Sequence, residues 1–505
     1  MPEAATAPRA PTALRLAGHA ARLAGRLART ARRHAALGLL LVAGAAIRAL
    51  ALIAIYPGIW FSDSNTYIQT AATGILNVNR VMGYSLAVAP FWQLRSAGAL
   101  IVAQHVLGLA IVVALYALLI HRGAPRWLAT LGVVPAALDG YLIVVEHTVM
   151  SETVYHATLV AALVLLLWRD RMSPKAAAGA GLLLGYAITL RSVALPFIAV
   201  VLLYLLVRRT GWRPIAALAV ASALIPLAYM ALYDHQHGSF AFTQSGGHFL
   251  YTRVAPFADC SMLGDVPADQ RAFCPDPEHR LTTTQYGNSR LSPVHGLPPS
   301  ADGRVGAFAR RVVLHQPLDY AGVVVGGVLH YFRPGHPIGH NDYPVGPWQF
   351  PADPRRWTYP TYRGPIRPGD PQRQLQHPVT EPNRSVARMV AAGPRLNPAA
   401  ARIVHRYQQL VYSYGPLLAV CVLVVLAALV LGRGPRRLRL DAALIAVLVL
   451  AALTMAQALS VFSYRYGMIA GLLLPVAAAL AATALLDRES PHNEIEGRLD
   501  HRGGG

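Results

Sequence analysis

The amino-acid sequence predicts an all-α polytopic membrane protein with about ten transmembrane helices, juxtamembrane helices and a long exterior loop. Of its 505 residues, 54% are apolar and only 14% are charged, whereas about 25% of the residues in an ordinary soluble domain are charged. The apolar residues stand in long blocks, several of which reach the ~18–20 residues needed to cross a bilayer. This composition excludes an intrinsically disordered chain.

The positive charges predict the orientation of the chain in the cell membrane. The formal net charge is +21, but Arg and Lys occupy short connections between apolar blocks and form no set that could line a nucleic-acid groove. The positive-inside rule places these connections on the cytoplasmic face, with both termini cytoplasmic. The basic groups lie within residues 9–33, 122–126, 169–175, 208–213 and 433–439.

The segments follow in order. Residues 1–34 are expected to be a basic cytoplasmic segment on the anionic inner leaflet. Residues 35–233 form an N-terminal transmembrane module whose first apolar block, 35–56, exceeds the roughly 7–15 residues of a signal-peptide core. Residues 405–486 supply the C-terminal helices, and residues 487–505 form a disordered cytoplasmic tail. The predicted spans are 35–56, 97–120, 125–144, 152–168, 176–190, 192–207, 214–233, 407–432, 440–460 and 467–486.

Residues 234–404 are predicted to form an extracytoplasmic loop region. Its apolar stretch 318–332 is interpreted as a helix at the outer surface, because a crossing there would move the basic group 433–439 outside. Spans 176–190 and 192–207 are short, and we expect them to meet at an outer turn, since one long helix would bury Arg191 in the bilayer. Cys260 and Cys274 lie in the exterior loop and are predicted to form a disulfide, whereas Cys421 is a packing residue within a span.

Acidic side chains follow the outer ends of two spans. Asp63 comes directly after the first span, and Glu146, His147 and Glu152 precede the fourth. Each acid at a helix start has a plain explanation, since Ser62, Asp63 or Ser64 could cap a helix and Glu152 suits the helix dipole. The alternative is that two carboxylates converge at one membrane face, where they could activate a hydroxyl or hold a divalent cation. The sequence indicates no other cofactor and no defined metal site.

Three arginines are predicted at the same outer face, namely Arg191, Arg253 and Arg465, the last flanked by Tyr464 and Tyr466. Snorkelling to lipid headgroups would explain any one of them. A guanidinium is also the natural ligand of a phosphate, because its planar fork binds two oxygens at once. Acids for a hydroxyl and arginines for a phosphate, on one face, indicate a reaction with a lipid-phosphate leaving group.

Five short motifs then carry a resemblance to a known family. They are Phe61-Ser62-Asp63-Ser64, Met82-Gly83-Tyr84-Ser85-Leu86, Met150-Ser151-Glu152-Thr153, Leu190-Arg191-Ser192-Val193-Ala194-Leu195 and Tyr464-Arg465-Tyr466-Gly467. In this order they resemble the polyprenyl-phosphate-sugar-dependent glycosyltransferases of the GT-C fold, the protein-mannosyltransferase-like group (glycosyltransferase family 39-like). The resemblance is strongest over residues 35–235. The stretch 82–86 lacks both prolines of the family, and Ser192 replaces the proline after Arg191.

The resemblance implies an enzyme of the cell envelope that transfers a hexose or pentose from a polyprenyl-phosphate carrier to an acceptor hydroxyl, with inversion. The acceptor would be a protein, a lipid or a polysaccharide. Asp63 would be the catalytic base, and Glu152, together with Glu146, would be a second acid for the acceptor or a metal. Arg191 and Arg465 would bind the carrier phosphate, and Glu146 and His147 would belong to the substrate-binding residues. Arg253 and Tyr466 complete the expected substrate-binding set.

Two other functions are consistent with the sequence. A transporter or flippase for a lipid-linked substrate would have polar residues near the bilayer midplane, broken helices and an internal repeat, and the sequence has no convincing repeat. A non-enzymatic assembly protein would tolerate loss of all the named acids and arginines. The position of the polar groups at one surface favours glycosyl transfer.

Overall fold

The computed structural model describes residues 32–354, 382–390 and 393–487, which are almost entirely α-helical. Most of the predicted segment 1–34 and of the tail 487–505 lies outside these residues. The helices are α1 Ala35–Ala54, α2 Ser62–Thr73, α3 Gly83–Gln93, α4 Ala97–His121, α5 Arg126–Leu138, α6 Gly140–Glu146, α7 Glu152–Leu167, α8 Pro174–Leu190, α9 Leu195–Val207, α10 Trp212–His237, α11 Gly246–Val254, α12 Ala268–Arg271, α13 Pro277–Thr282, α14 Asp302–His315, α15 Pro317–His330, α16 Pro382–Met389, α17 Pro398–Leu410, α18 Gly415–Leu431, α19 Arg436–Leu459 and α20 Tyr464–Leu486. A two-stranded antiparallel sheet pairs β1 Ile55–Tyr56 with β2 Arg395–Leu396.

Five of the described helices are long and apolar enough to cross a membrane, namely α1, α4, α10, α19 and α20. Three bent helix pairs raise this number to eight if each pair is one span: α5 with α6, α14 with α15, and α17 with α18. Helices α7 and α9 are apolar but shorter. Length and composition therefore support a membrane protein of the predicted helical class, and ten crossings remain a prediction.

Two spans predicted as single helices, 125–144 and 407–432, are broken in the structure, by 52° and 42°. Asp139 ends α5, because its Oδ1 accepts hydrogen bonds from the backbone N–H groups of Tyr141 and Leu142 and so starts α6 in a new direction. Its Oδ2 accepts from the N–H of Ser413, at 2.6 Å, in the break between α17 and α18. One buried carboxylate thus joins both breaks.

Two predicted helix boundaries are confirmed. Helix α8 ends at Leu190, Arg191 is extended, and a 3₁₀ turn leads into α9, so that two short helices meet at Arg191. The stretch 318–332 contains α15, which begins with Pro317 in its first turn and lies at 97° to α14. Its position relative to a membrane is still a prediction.

The basic connections meet at one end of the helices. Arg122, after α4, donates to Asp170, after α7, at 2.8 Å and also pairs with the fully buried Asp441 in α19. Arg208, after α9, pairs with Asp441 at 3.1 Å, and Arg437 pairs with Asp170 at 2.8 Å. The alternating order of spans predicts that these connections share one face, and the contacts agree with it.

Part of the segment that is predicted to lie outside, named the exterior region after that prediction, has a small hydrophobic core of its own, separate from the core of the helix bundle. Helices α11 and α14 pack there around Tyr251 and Phe308, with Phe273 beside them. Cys260 and Cys274 form the predicted disulfide within this unit, whereas Cys421 is free and half-buried in α18. The exterior region is therefore a packed structure next to the ends of the bundle helices.

Candidate active site

A short parallel pairing of two connections brings the two predicted acids together. The N–H of Ile59 donates to the carbonyl of His147, and the N–H of Val149 donates to the carbonyl of Ile59, so Ile59 lies beside Thr148. Both strands run in the same direction from this pair, and Asp63 and Glu152 each follow it by four residues. The chain order thus places both carboxylates at the same end of the bundle, at the starts of α2 and α7.

Asp63 does not act as a helix cap. The N-terminus of α2 is closed by Ser64, whose hydroxyl accepts from the N–H of Phe61 at 2.9 Å. The Asp63 carboxylate, only 3% exposed, instead accepts a hydrogen bond from Arg80 at 2.8 Å and lies 3.6 Å from the guanidinium of Arg465. The capping explanation therefore fails for this carboxylate.

Glu152 is 1% exposed and holds two arginines side by side. Its Oε1 pairs with Arg191, which follows α8, and lies 3.3 Å from Nε of Arg465 at the start of α20. Its Oε2 is buried and has no hydrogen-bond partner among the described residues. Glu152 thus fixes the spacing of two guanidinium groups that come from different helices.

Aromatic rings fix the same two guanidinium groups. The guanidinium of Arg465 lies 4.7 Å from the ring centre of Trp348, 5.2 Å from that of Tyr466 and 5.6 Å from that of Phe61. The guanidinium of Arg191 lies 5.1 Å from the ring centre of the same Tyr466. Stacking on aromatic faces suits the planar guanidinium, and each such contact adds about 0.5–2 kcal/mol. Both arginines are therefore held in place before any ligand binds.

Gly83 explains how α3 reaches the turn at Arg191. A β-carbon at Gly83 would lie 2.4 Å from Oγ1 of Thr189 and 2.7 Å from its carbonyl oxygen. The hydroxyl of Tyr186 donates to the carbonyl of Gly83 at 3.1 Å. The glycine of the 82–86 motif thus permits a close backbone approach that presses the end of α8 against α3.

An open cleft begins at these charges. Its polar end carries the carboxylate of Asp63 and the guanidinium groups of Arg80, Arg191 and Arg465, with Tyr466 beside them. The rest of the cleft has an apolar wall, formed by Val193, Leu195, Phe242, Phe249, Met455 and Leu459. The lining is therefore amphipathic, since it combines a cluster of cations with several apolar side chains.

Glu146 and His147, predicted to bind substrate with Glu152, lie in a different network. Glu146 forms a bidentate pair with Arg48 of α1, with both N–O distances at 2.7 Å, and accepts from His105 at 3.0 Å. The second ring nitrogen of His105 forms a hydrogen bond with His147, whose other ring nitrogen is hydrogen-bonded to the carbonyl of Ile55. All of these side chains are buried, and none of them lines the cleft.

Arg253 also lies apart from the cleft. It is buried between α11 and α15, where it donates to the carbonyl of Val323 at 2.6 Å. Burial lowers the pKa of its guanidinium to about 10. Of the predicted substrate-binding residues, the structure therefore brings together Arg191, Arg465 and Tyr466, and it leaves out Glu146, His147 and Arg253.

The described residues contain no group of three His, Cys, Asp or Glu side chains that could hold a metal ion. The ring centre of His336 lies 4.7 Å from the ring centres of Tyr141, Tyr412 and Tyr464. The carboxylates of Asp63 and Glu152 face guanidinium groups. The charges at the cleft thus suit an anionic ligand.

Sequence reasoning missed Arg80, Arg48 and Trp348, which lies beside Arg465. The buried pairing of Arg48 could have been predicted from the sequence, because a single cation inside an apolar block requires a buried partner. Arg80 is the cation that precedes the 82–86 motif, but its pairing with Asp63 depends on a loop of irregular backbone. No sequence pattern indicates Trp348, since it comes from a segment that is distant in the chain.

When the chain is compared with models of protein families, with curated proteins and with solved structures, nothing matches.

Proposed function

We propose that this protein is a membrane glycosyltransferase, which moves a sugar from a polyprenyl-phosphate carrier to an acceptor hydroxyl with inversion of the anomeric centre. The observation that carries the proposal is the cleft itself. A buried carboxylate, Asp63, lies 3.6 Å from the guanidinium of Arg465 and lines the same cleft as Arg191, together with apolar side chains. A base, a phosphate site and a hydrocarbon surface are the parts that this reaction needs.

In the proposed reaction the acceptor oxygen attacks the anomeric carbon while Asp63 accepts the hydroxyl proton. The bond from the anomeric carbon to the phosphate oxygen breaks, and its electron pair leaves with the polyprenyl phosphate. General base catalysis contributes about 10²–10⁴-fold. Arg191 and Arg465 stabilise the negative charge that grows on the leaving phosphate, and their fixed positions spare the cost of reorganisation.

Glu152 takes a role in this proposal that differs from the one expected from the resemblance. Its paired oxygen faces Arg191 and Arg465, so it positions the phosphate ligands rather than contacting the acceptor. The apolar wall of the cleft suits the isoprenoid chain of the carrier. A divalent cation is not needed for the charge balance, since three guanidinium groups already face two carboxylates.

The site is proposed to face the exterior. The cleft lies at the helix ends opposite the network of Asp170 and Asp441, where the basic connections meet, and the positive-inside rule assigns that network to the cytoplasm. The disulfide between Cys260 and Cys274 also suits an oxidising compartment.

The direct test uses the purified chain in proteoliposomes with radiolabelled hexosyl and pentosyl polyprenyl monophosphates and a membrane extract as the source of acceptors. Label should pass to the acceptor fraction, and Asp63→Asn should lower the rate by about 100-fold or more. Asp319→Asn, which removes an exposed carboxylate on α15, is the matched control. Transfer by Asp63→Asn within a few-fold of wild type would refute the assignment of the base. Movement of the intact lipid across the bilayer without transfer would favour the flippase alternative.

A further inference from the structure

Arg80 and Asp63 form the most accessible ion pair of the cleft. Asp63 is almost completely buried, whereas 37% of the Arg80 side chain is exposed. The Arg80 guanidinium binds Oδ2 of Asp63 at 2.8 Å, and Arg465 approaches the same oxygen at 3.6 Å. The other oxygen, Oδ1, accepts a hydrogen bond from the hydroxyl of Ser62 at 3.1 Å, so both oxygens of the carboxylate already have partners. In the ligand-free site, the carboxylate of the proposed base is therefore already bound by neighbouring side chains.

The three cationic side chains of the cleft differ in their freedom to move. Arg465 is surrounded by the rings of Phe61, Trp348 and Tyr466, and Arg191 is paired with the buried Glu152. Only 11% and 13% of these two side chains are exposed. Arg80 is the most exposed of the three, so its guanidinium can turn at the lowest cost.

The backbone around Arg80 is fixed even though the side chain is exposed. The hydroxyl of Ser245 donates to the carbonyl of Asn79 at 2.7 Å, and the N–H of Gln244 donates to the carbonyl of Val78 at 2.7 Å. On the other side, the N–H of Met82 donates to the hydroxyl of Tyr229. A rotation of the Arg80 side chain would therefore leave the connection between α2 and α3 in place.

We propose that Arg80 is a donor-binding residue that releases Asp63 when a donor phosphate enters the cleft. This inference rests on the proposed function. The phosphate competes with Asp63 for the guanidinium, since both are oxyanions and the phosphate also contacts Arg191 and Arg465. Once Arg80 has turned to the phosphate, a freed oxygen of Asp63 accepts the proton of the acceptor hydroxyl. The base thus becomes available only after the donor has bound, and the acceptor binds second.

The test measures the Kd of a short-chain polyprenyl monophosphate for the full-length protein in nanodiscs. Arg80→Gln should weaken binding roughly 10-fold or more, the effect of losing one charge-assisted contact, and Arg80→Lys should recover part of it. Asp63→Asn should tighten binding, because it frees Arg80 in advance, and this gain should shrink in the double variant. Arg304→Gln, which removes an exposed arginine of α14 outside the cleft, is the matched control and should bind like wild type.

The outcomes separate this inference from the proposed function. If wild type binds the phosphate but Arg80→Gln binds within two-fold of it, Arg80 does not reach the ligand and the inference is wrong. An equal gain from Asp63→Asn with and without Arg80 also refutes it. If wild type does not bind polyprenyl monophosphate at all, the proposed function itself fails. Each variant must give a monodisperse protein with the thermal midpoint of wild type, and Arg80→Lys replaces Arg80→Gln as the test if the latter does not.

Discussion

Four buried or half-buried arginines differ in their surroundings, and their partners indicate a different role for each. Arg191 and Arg465 face the cleft and stack on rings, Arg80 pairs with Asp63 at its edge, and Arg48 is sealed in the bundle with Glu146. Sequence position alone places Arg191 and Arg465 at one membrane face. The ring contacts and the two carboxylate partners appear only in three dimensions, because they come from segments far apart in the chain.

Replacement of Arg465 by Lys is expected to impair the reaction although the positive charge is kept. A lysine cannot stack its ammonium between Trp348 and Tyr466 or offer a planar fork to a phosphate, and misplacement of a catalytic group is costly. We expect the rate of sugar transfer to fall on the order of 10-fold or more. Arg304→Lys should leave the rate unchanged, and an Arg465→Lys rate equal to wild type would show that charge alone suffices.

The pair of Arg48 and Glu146 is expected to stabilise the fold. Removal of one partner leaves an uncompensated buried charge, which costs about 3–5 kcal/mol. Arg48→Met should therefore lower the midpoint of thermal unfolding in detergent markedly, and Arg48→Met with Glu146→Leu should recover much of the loss. A single variant that unfolds like wild type would contradict this role.

At the scale of the helices, sequence patterns predicted most of the helices, but they did not predict the bends within the spans 125–144 and 407–432. The spans 97–120, 152–168 and 214–233 correspond to α4, α7 and α10 within a few residues, because long apolar blocks leave little choice of structure. Spans 125–144 and 407–432 were predicted without a break, since hydropathy does not register Asp139 as a cap. The break needs the N–H groups of Tyr141, Leu142 and Ser413 to converge on one carboxylate.

Asp139→Ala is expected to loosen both broken helices at once. Loss of the cap on α6 costs about 0.5–2 kcal/mol, and the N–H of Ser413 also loses its partner. Hydrogen exchange should rise at the start of α6 and in the connection before α18, two regions far apart in sequence. Asp139→Asn, which keeps an acceptor oxygen, should show a smaller effect. Faster exchange confined to α6 would contradict the shared role.

The exterior unit is expected to depend on its disulfide. Cys260 and Cys274 close a short loop against the separate core around Phe308, and a loop of this length gains roughly 3 kcal/mol. Cys260→Ser with Cys274→Ser should make residues within this unit sensitive to protease while the bundle helices stay resistant. Unchanged protease resistance would show that the small core alone is sufficient.

At the scale of the whole molecule, the orientation can be tested by labelling single cysteines in intact cells. In a Cys421→Ala background, a cysteine at the exposed position Leu291 should react with a membrane-impermeant maleimide from outside. A cysteine at the exposed position Arg171, in the connection after α7, should react only after the membrane is opened. The reverse result would place the cleft in the cytoplasm and contradict the proposed donor.

The ion network around Asp170 and Asp441 has a mechanical consequence for the bundle. These two acids tie together the connections after α4, α7 and α9 and the start of α19, whereas the opposite end of α19 and the α8–α9 turn border open space. The ion pairs fix the spacing of α4, α7, α9 and α19 at that end, whereas the contacts of Glu152 with Arg191 and Arg465 join α7, the α8–α9 turn and α20 beside the cleft. A change in the width of the cleft therefore requires these helices to tilt while their opposite ends stay joined.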